Sequence, residues 1–124
     1  MSYKLLISCL ILCSCSTTQM IETDLYFGQT RPDGSRITET EWKYFKENRI
    51  DKVFKEGSTV ISSAGSWRDP VTHKLITEPS YVVVYYYKRS LQISQQIDSL
   101  RYWYKSIFDQ QSVLRVDMKV KASF

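Results

Sequence analysis

Hydrophobic residues recur at every second position near both ends of the chain. Residues 23–28 and residues 114–124 follow this period, which predicts a β-strand in each segment. For the last strand we expect one apolar, buried face and one charged, exposed face. The face expected to be buried carries Leu114, Val116, Met118, Val120, Ala122 and Phe124. The face expected to be exposed carries Arg115, Asp117, Lys119 and Lys121.

Two other segments show the helical period. Thr38 and Glu41 have the spacing of a capping box, and Ser90 is a candidate cap for a second helix. The first apolar stripe consists of Trp42, Phe45, either Arg49 or Ile50, and Val53. The second consists of Ile93, Ile97, Leu100, Tyr104, Ile107 and Phe108. These stripes predict two amphipathic helices that each pack one side against a sheet.

The middle of the chain predicts a β-hairpin. Residues 58–67 are rich in small and β-branched residues, and residues 75–87 form a long apolar run. The turn chemistry of residues 69–73 connects the two. The second strand is apolar on both faces, so it belongs inside the sheet. One face of this strand must therefore point away from the helices. That face carries either Tyr81, Val83, Tyr85 and Tyr87 or the alternate set Val82, Val84 and Tyr86.

The order of these elements is strand, helix, strand, strand, helix, strand. This order is the ferredoxin-like β-α-β-β-α-β pattern, an α+β fold. We therefore expect a four-stranded antiparallel sheet with two helices on one face. With 124 residues the chain has room for a single hydrophobic core.

The first fifteen residues resemble the export signal of bacterial lipoproteins. Residues 5–12 form an apolar run that is too short to cross a bilayer, and Leu12-Cys13-Ser14-Cys15 resembles a lipobox. We predict a signal peptide over residues 1–14, a lipidated Cys15 with a tether over residues 15–21, and one domain over residues 22–124. The alternative is a cytoplasmic protein with an apolar N-terminal strand or helix.

Charge and cysteine content restrict which partners and which covalent links the chain can have. The net charge of +4 falls to +3 when Lys4 is removed with the signal, and this mild, scattered excess is weak evidence for any partner. All three cysteines lie at or before Cys15, so no disulfide is expected in the mature chain. We predict no nucleic-acid partner and no cofactor. Ser16 after Cys15 suits sorting to the outer membrane, facing the periplasm.

Candidate site residues lie beside the predicted hairpin turn. Trp67, Arg68 and Glu78 are placed there to form an ion pair or a small polar pocket next to an indole. The bland interpretation is a salt bridge at the rim of the domain. His73 is the only histidine, and a lone imidazole in a turn does not indicate a metal site.

The nine tyrosines suggest a second candidate surface. If Tyr81, Tyr85 and Tyr87 form a ladder on the sheet face that the helices leave open, they would stack on sugar rings or pack against a second copy. Of these two, we favour a homodimer formed through the sheet face. The plainer alternative is that the tyrosines only shield the sheet.

Several separated segments resemble a family of small exported bacterial proteins and lipoproteins whose shared domain has no assigned function. The matching segments are Leu25-Tyr26-Phe27-Gly28, Ile37 through Trp42 with Phe45, Gly65-Ser66-Trp67-Arg68, Glu78, and Tyr104-Lys105 through Phe108 to Gln111-Ser112-Val113-Leu114. They occur in this order over residues 22–124. The family pattern differs at Ser66, where it has Gln, and at His73, where it has Gly. The resemblance implies an exported location and the extent of the domain, but no mechanism.

Two functional hypotheses remain open. The leading one is a non-enzymatic binding or interaction module of the cell envelope, because no convincing catalytic cluster is present. The alternative is a small cofactor-independent enzyme of the dimeric α+β barrel type, with Arg68, Glu78 or His73 acting on a substrate. A closed cavity that receives Glu78 or Arg68 would favour the enzyme, whereas exposure of both side chains to bulk water would favour the binding module.

Overall fold

A computed structural model describes residues 17–123. The elements are strand β1 (Thr18–Gly28), helix α1 (Glu39–Phe45), a π-helical turn (Lys46–Ile50), helix α2 (Asp51–Val53), strands β2 (Thr59–Arg68) and β3 (Leu75–Tyr87), helix α3 (Leu91–Phe108) and strand β4 (Leu114–Ala122). The predicted signal peptide, Cys15 and Phe124 lie outside the described residues. None of the described helices is long and apolar enough to cross a membrane.

The four strands form one antiparallel sheet with the order β2-β3-β1-β4. This order and the two helical layers on one side confirm the ferredoxin-like α+β prediction. The first strand begins at Thr18, earlier than predicted, because Thr18 pairs with Ala122 of β4. Residues 18–21 of the predicted tether therefore belong to the sheet. Every strand and core side chain that the structure describes lies within residues 18–122.

The first helical stretch begins at the predicted capping box. The Thr38 hydroxyl accepts a hydrogen bond from the backbone N–H of Glu41, and the Glu41 carboxylate accepts one from the N–H of Thr38. The π-helical turn then determines which of Arg49 and Ile50 belongs to the buried apolar stripe. It widens the helix, so Ile50, five residues after Phe45, returns to the buried face. Arg49 instead lies over the ring of Trp103, with 4.3 Å from its Cζ to the ring centroid.

Aromatic side chains fill the space between the helices and the sheet. Phe27 lies in the middle of them, with 4.7 Å between its ring centroid and that of Tyr104. Tyr104 is fully buried but has hydrogen-bond partners for its hydroxyl: it donates to the carbonyl of Gly28 and accepts from the side-chain amide of Gln29. Burial is the main cause of the raised pKa of Tyr104. The hydroxyl therefore ties α3 to the end of β1.

Strand β4 alternates as predicted, but its two faces are the reverse of the prediction. Because Arg115 pairs with Leu25, the charged side of β4 faces the helices and the apolar side faces away from them. Arg115 is largely covered there, and its guanidinium binds Asp98, Asp117 and the backbone carbonyl of Ser94. These partners satisfy a charge that burial would otherwise penalise.

Helix α3 begins at Ser90, whose hydroxyl accepts the N–H of Ile93 as predicted. Its buried stripe differs from the prediction at Ile107, which is 53% exposed. Phe108, one position further along, points into the core in its place. The reason is the spacing of four residues from Tyr104 to Phe108, which keeps both side chains on the same side of the helix.

Replacing Tyr104 with Phe tests the hydroxyl that joins α3 to β1. The Tyr104→Phe variant leaves the Gly28 carbonyl and the Gln29 amide without their buried partner, so we expect a loss of about 1–3 kcal/mol in the free energy of unfolding. Urea denaturation measures this loss. The matched control, Tyr102→Phe, removes an exposed hydroxyl from the same helix and should change stability by less than about 0.5 kcal/mol. Equal losses of stability in the two variants would contradict the role of the Tyr104 hydroxyl in joining α3 to β1.

Candidate functional site: the open face of the sheet

Strand pairing decides which side chains of β3 look away from the helices. Directly paired residues share a face, and Leu25 and Phe27 of β1 point into the core. Their partners Val83 and Tyr81 therefore face the helices. By the same alternation, Tyr85 and Tyr87 of β3 also face the helices. The face without helices is occupied by Val82, Val84 and Tyr86.

This placement corrects the predicted tyrosine ladder. Tyr81 stacks on Trp42, with ring centroids 4.5 Å apart, and Tyr85 stacks on Phe54 at 4.0 Å. Tyr87 is buried beside Tyr85, with ring centroids 5.5 Å apart. Tyr85 and Tyr87 are buried in the core and Tyr81 is partly buried against it, so the three do not form a ladder on the side of the sheet without helices. They pack under the helices because β3 is a central strand, and its helix-facing side must fill the space under both helical layers.

We call the surface without helices the open face. It comprises Met20, Glu22, Asp24 and Tyr26 of β1, Ile61 of β2, Val82, Val84 and Tyr86 of β3, and Leu114, Val116, Met118 and Val120 of β4. Val82 is only 8% exposed at the centre of this surface although no helix covers it. At the margins Ile61, Leu114 and Met118 are 49%, 57% and 42% exposed. The open face is therefore a mostly apolar surface with a dense centre.

Two carboxylates on β1 interrupt the open face. Glu22 lies against the hydroxyl of Tyr86. Burial is the largest cause of the raised pKa of Tyr86, and the charge of Glu22, its hydrogen bond with the hydroxyl and the charge of Asp24 raise this pKa further. Asp24 lies between Val84 and Val116, its paired neighbours. Its Oδ1 atom is buried and has no hydrogen-bond partner among the described residues. The Oδ1 acceptor of Asp24 is thus unused among residues 17–123.

The hairpin residues predicted to form a polar pocket do not come together. Arg68 pairs with Leu75 and donates to the backbone carbonyl of His73 at 2.8 Å. Glu78 pairs with Gly65, three positions further along β3. The predicted Arg68–Glu78 ion pair is absent from the described part of the chain, because the long hairpin separates the two side chains along the strand. Trp67 is 41% exposed and lies on the part of the hairpin that extends past the end of β1.

Glu78 instead packs over the end of β1. Its Oε1 atom lies 3.0 Å from the position that a Cβ would take on Gly28, so a larger residue there would require the carboxylate to shift by a few tenths of an ångström. The side-chain carbonyl of Gln110 lies 3.3 Å from the same point. Burial raises the pKa of Glu78, while the backbone N–H of Thr30 and the charge of Arg36 act in the opposite direction. Glu78 is therefore held in a half-buried site of its own.

Two open grooves border the described residues. One of about 160 Å³ lies beside Gln29, Arg36 and Tyr81, and one of about 440 Å³ lies at the other end of the sheet. Neither Glu78 nor Arg68 lines either groove. Within residues 17–123 no three His, Cys, Asp or Glu side chains are grouped as metal ligands.

Sequence reasoning missed the residues that give the open face its character. The period of two places Asp24 and Tyr26 on the polar side of the first predicted strand, leaves Glu22 outside that strand, and assigns Leu114 and Met118 to the buried face of the last one. The useful observation in the sequence was the conflict between two helices and a strand that is apolar on both sides. It indicated that one apolar face stays uncovered, but not which residues form it.

The fold and this surface define a small α+β domain with one helix-covered and one open sheet face. The chain belongs to the DUF3574 family of proteins of unknown function, whose model matches residues 22–124. This match confirms the predicted resemblance to a family without an assigned function. Among curated protein sequences none is significantly similar to the chain.

Solved structures share the fold at low sequence identity. A phage SAM lyase in complex with S-methyl-5'-thioadenosine is 14% identical, with a TM-score of 0.64 over 85% of this chain and 90% of that one. CutA from Synechococcus elongatus PCC7942 is 12% identical, with a TM-score of 0.56 over 90% of this chain and 88% of that one. At these identities the likeness concerns the fold alone.

The raised pKa of Glu78 predicts a specific dependence of stability on pH. A carboxyl whose pKa is higher in the folded state favours folding while it is protonated, and this contribution is lost as pH rises through the folded-state pKa. We therefore expect the Glu78→Gln variant to gain stability relative to the unmodified chain between about pH 4 and pH 7. Urea unfolding across this range measures the difference. A difference that stays constant with pH would contradict the burial of Glu78.

Proposed function

We propose that the protein is a lipoprotein of the bacterial cell envelope that acts as an interaction module and binds a second copy of itself through the open face. On this proposal Cys15 carries the lipid, and the domain stands at the outer membrane, facing the periplasm. The single observation that supports the module most strongly is the open face, where a sheet surface rich in aliphatic and aromatic residues has no covering layer formed by residues 17–123. Exposed apolar patches of several hundred Å² often mark interaction sites.

The dimensions of the open face suit a modest specific interface. Four neighbouring strands at the usual spacing present roughly 600 Å² per copy. Two copies packed face to face therefore bury on the order of 1,200 Å², which is at the lower end for specific protein interfaces. The dense centre around Val82 and the exposed margin also follow the usual arrangement of a dry core and a wetter rim.

The polar groups of the open face are self-complementary. Asp24 has an unused acceptor atom, and the hydroxyl of Tyr26 on the same strand makes no hydrogen bond within the described chain. In a dimer with a two-fold axis parallel to the strands, positions at the same level along the strands of the two sheets lie opposite each other. The two side chains are about 6.6 Å apart along the strand, which is within the reach of a tyrosine. A donor from the second copy would remove the cost of about 1–3 kcal/mol for the unpaired carboxylate atom.

A small cofactor-independent enzyme is a second candidate, and the observation that favours it is the half-buried Glu78 with its raised pKa. Glu78 lies at the end of the open face, where a second sheet would close over it. The structural neighbour that carries S-methyl-5'-thioadenosine is itself a lyase, so this fold supports catalysis in another protein. ¹³C NMR titration of the Glu78 carboxyl in dimer and monomer tests this idea. An identical pKa in both states would argue against an enclosed site.

Charge substitution at the margin of the open face tests self-association. Leu114→Glu places a carboxylate on the proposed interface, so we expect the dissociation constant of the dimer to rise by at least about tenfold. Sedimentation equilibrium measures it. The matched control is Ile107→Glu on α3, because Ile107 and Leu114 are 53% and 57% exposed. An unmodified chain that stays monomeric at high concentration, or equal effects of both variants, would remove the proposal.

Mass spectrometry of the mature N-terminus tests the lipid anchor. We expect a chain that begins at Cys15, with a mass increase for a thioether-linked diacylglycerol. Cys15→Ala should leave the precursor uncut, whereas the control Cys13→Ala should still be processed. Intact Met1 on soluble material from the cytosol would overturn the envelope location.

A further inference from the structure

One end of the sheet lies next to the proposed lipid anchor. Strand β1 begins there at Thr18, which follows Cys15 by three residues. Strands β3 and β4 end there, since Ile21 of β1 pairs with both Tyr87 and Lys119. Helix α3 begins just beyond Tyr87. The start of β1, the ends of β3 and β4 and the start of α3 therefore share one end of the domain.

This end carries an excess of uncompensated positive charge. Its exposed basic side chains are Lys88, Arg89, Lys119 and Lys121, and we call the surface that they form the basic end. None of the four forms an ion pair with an acidic side chain among the described residues, in contrast to Arg31, Lys46 and Arg101 elsewhere. The opposite end of the sheet differs, because Arg68 at the end of β2 and Lys74 in the following turn both lie close to Asp69 in the chain. Four exposed cations without an ion-pair partner among the described residues therefore lie at the end of the sheet nearest the proposed anchor.

A groove of about 440 Å³ opens at the basic end. Arg89 and Lys119 line it together with Leu91 and Met118, which are 76% and 42% exposed. The groove is also lined by Arg115, but Asp117 and Asp98 already neutralise that guanidinium. Free cations beside exposed apolar side chains are the combination that the boundary between headgroups and acyl chains accommodates.

The length of the chain before β1 restricts what can reach this groove. Three residues span at most about 10 Å, so a lipid on Cys15 would hold the start of β1 within that distance of the membrane. This distance is comparable to the Debye length of about 8 Å at physiological ionic strength, so headgroup charges would act on the basic end.

We propose that the basic end binds the surface of a membrane that contains anionic phospholipids. Arg89 and Lys119 contact the headgroup phosphates in the groove, and Leu91 enters the interfacial layer. This inference rests on the proposed anchor for its geometry, but the binding surface is a property of the domain itself.

Vesicle sedimentation of a chain that begins at Ser16 tests the basic end without the lipid. This chain keeps every strand and core residue of the described structure. The probes are vesicles of phosphatidylcholine alone and vesicles that also contain phosphatidylglycerol. We expect binding only to the second kind, weakening as salt is added, because attraction to anionic lipids is screened over a Debye length.

Charge reversal identifies the residues. The double variant Arg89→Glu and Lys119→Glu should reduce binding to the anionic vesicles by at least about tenfold, since each basic residue near such a surface contributes appreciably to binding. The control is Arg68→Glu with Lys74→Glu, which makes the same change of charge at the opposite end and should keep most of the binding. Equal binding to both kinds of vesicle, or equal losses in both double variants, would overturn the proposal. Because no lipidated residue takes part, the result is separate from the fate of Cys15.

Discussion

Two helices can cover only one side of a four-stranded sheet, and most features of this protein depend on that constraint. The helical layers pack on Leu25, Phe27 and the odd-numbered residues of β3, and they produce a core rich in aromatic rings. The other side of the same strands has no such partner. Because β3 is apolar on both sides, folding one copy leaves hydrophobic surface in contact with water. A second layer is the natural remedy, and the proposed dimer provides it.

The core has its own polar connection at the end of the sheet far from the proposed anchor. The Tyr104 hydroxyl joins α3 to Gly28 and Gln29, and the side-chain amide of Gln110 donates to the carbonyl of Thr30. These bonds satisfy backbone groups where β1 leaves the sheet. They also surround the point where Glu78 packs over Gly28. Glu78 therefore lies where side-chain hydrogen bonds join the C-terminal part of α3 to the end of β1.

The two proposals are geometrically compatible. The open face lies on the broad side of the sheet, whereas the basic end lies at the start of β1. A two-fold axis parallel to the strands packs two open faces together and keeps both basic ends on the same side. Both lipids of such a dimer would then enter one membrane, and the doubled charge would strengthen attachment to anionic headgroups.

Local chemistry along the chain was enough to predict the elements. The capping box at Thr38, the cap at Ser90 and the period of two in β4 all reappear in the structure, because each depends on residues a few positions apart. The ferredoxin-like order follows from these elements and from the double-sided apolar character of β3. The segments that resemble the family likewise indicated the extent of the domain.

Only the tertiary structure decided which face of each strand is buried. The pairing of Leu25 with Arg115 turns the apolar side of β4 outward, and the same register places Tyr85 and Tyr87 in the core. An alternating strand offers two faces with equal periodicity, so nothing within the strand selects one of them. The choice depends on neighbouring strands, on the helices above them and on partners such as Asp98 that make a buried arginine tolerable. Those contacts join residues far apart in the chain, and they exist only once it has folded.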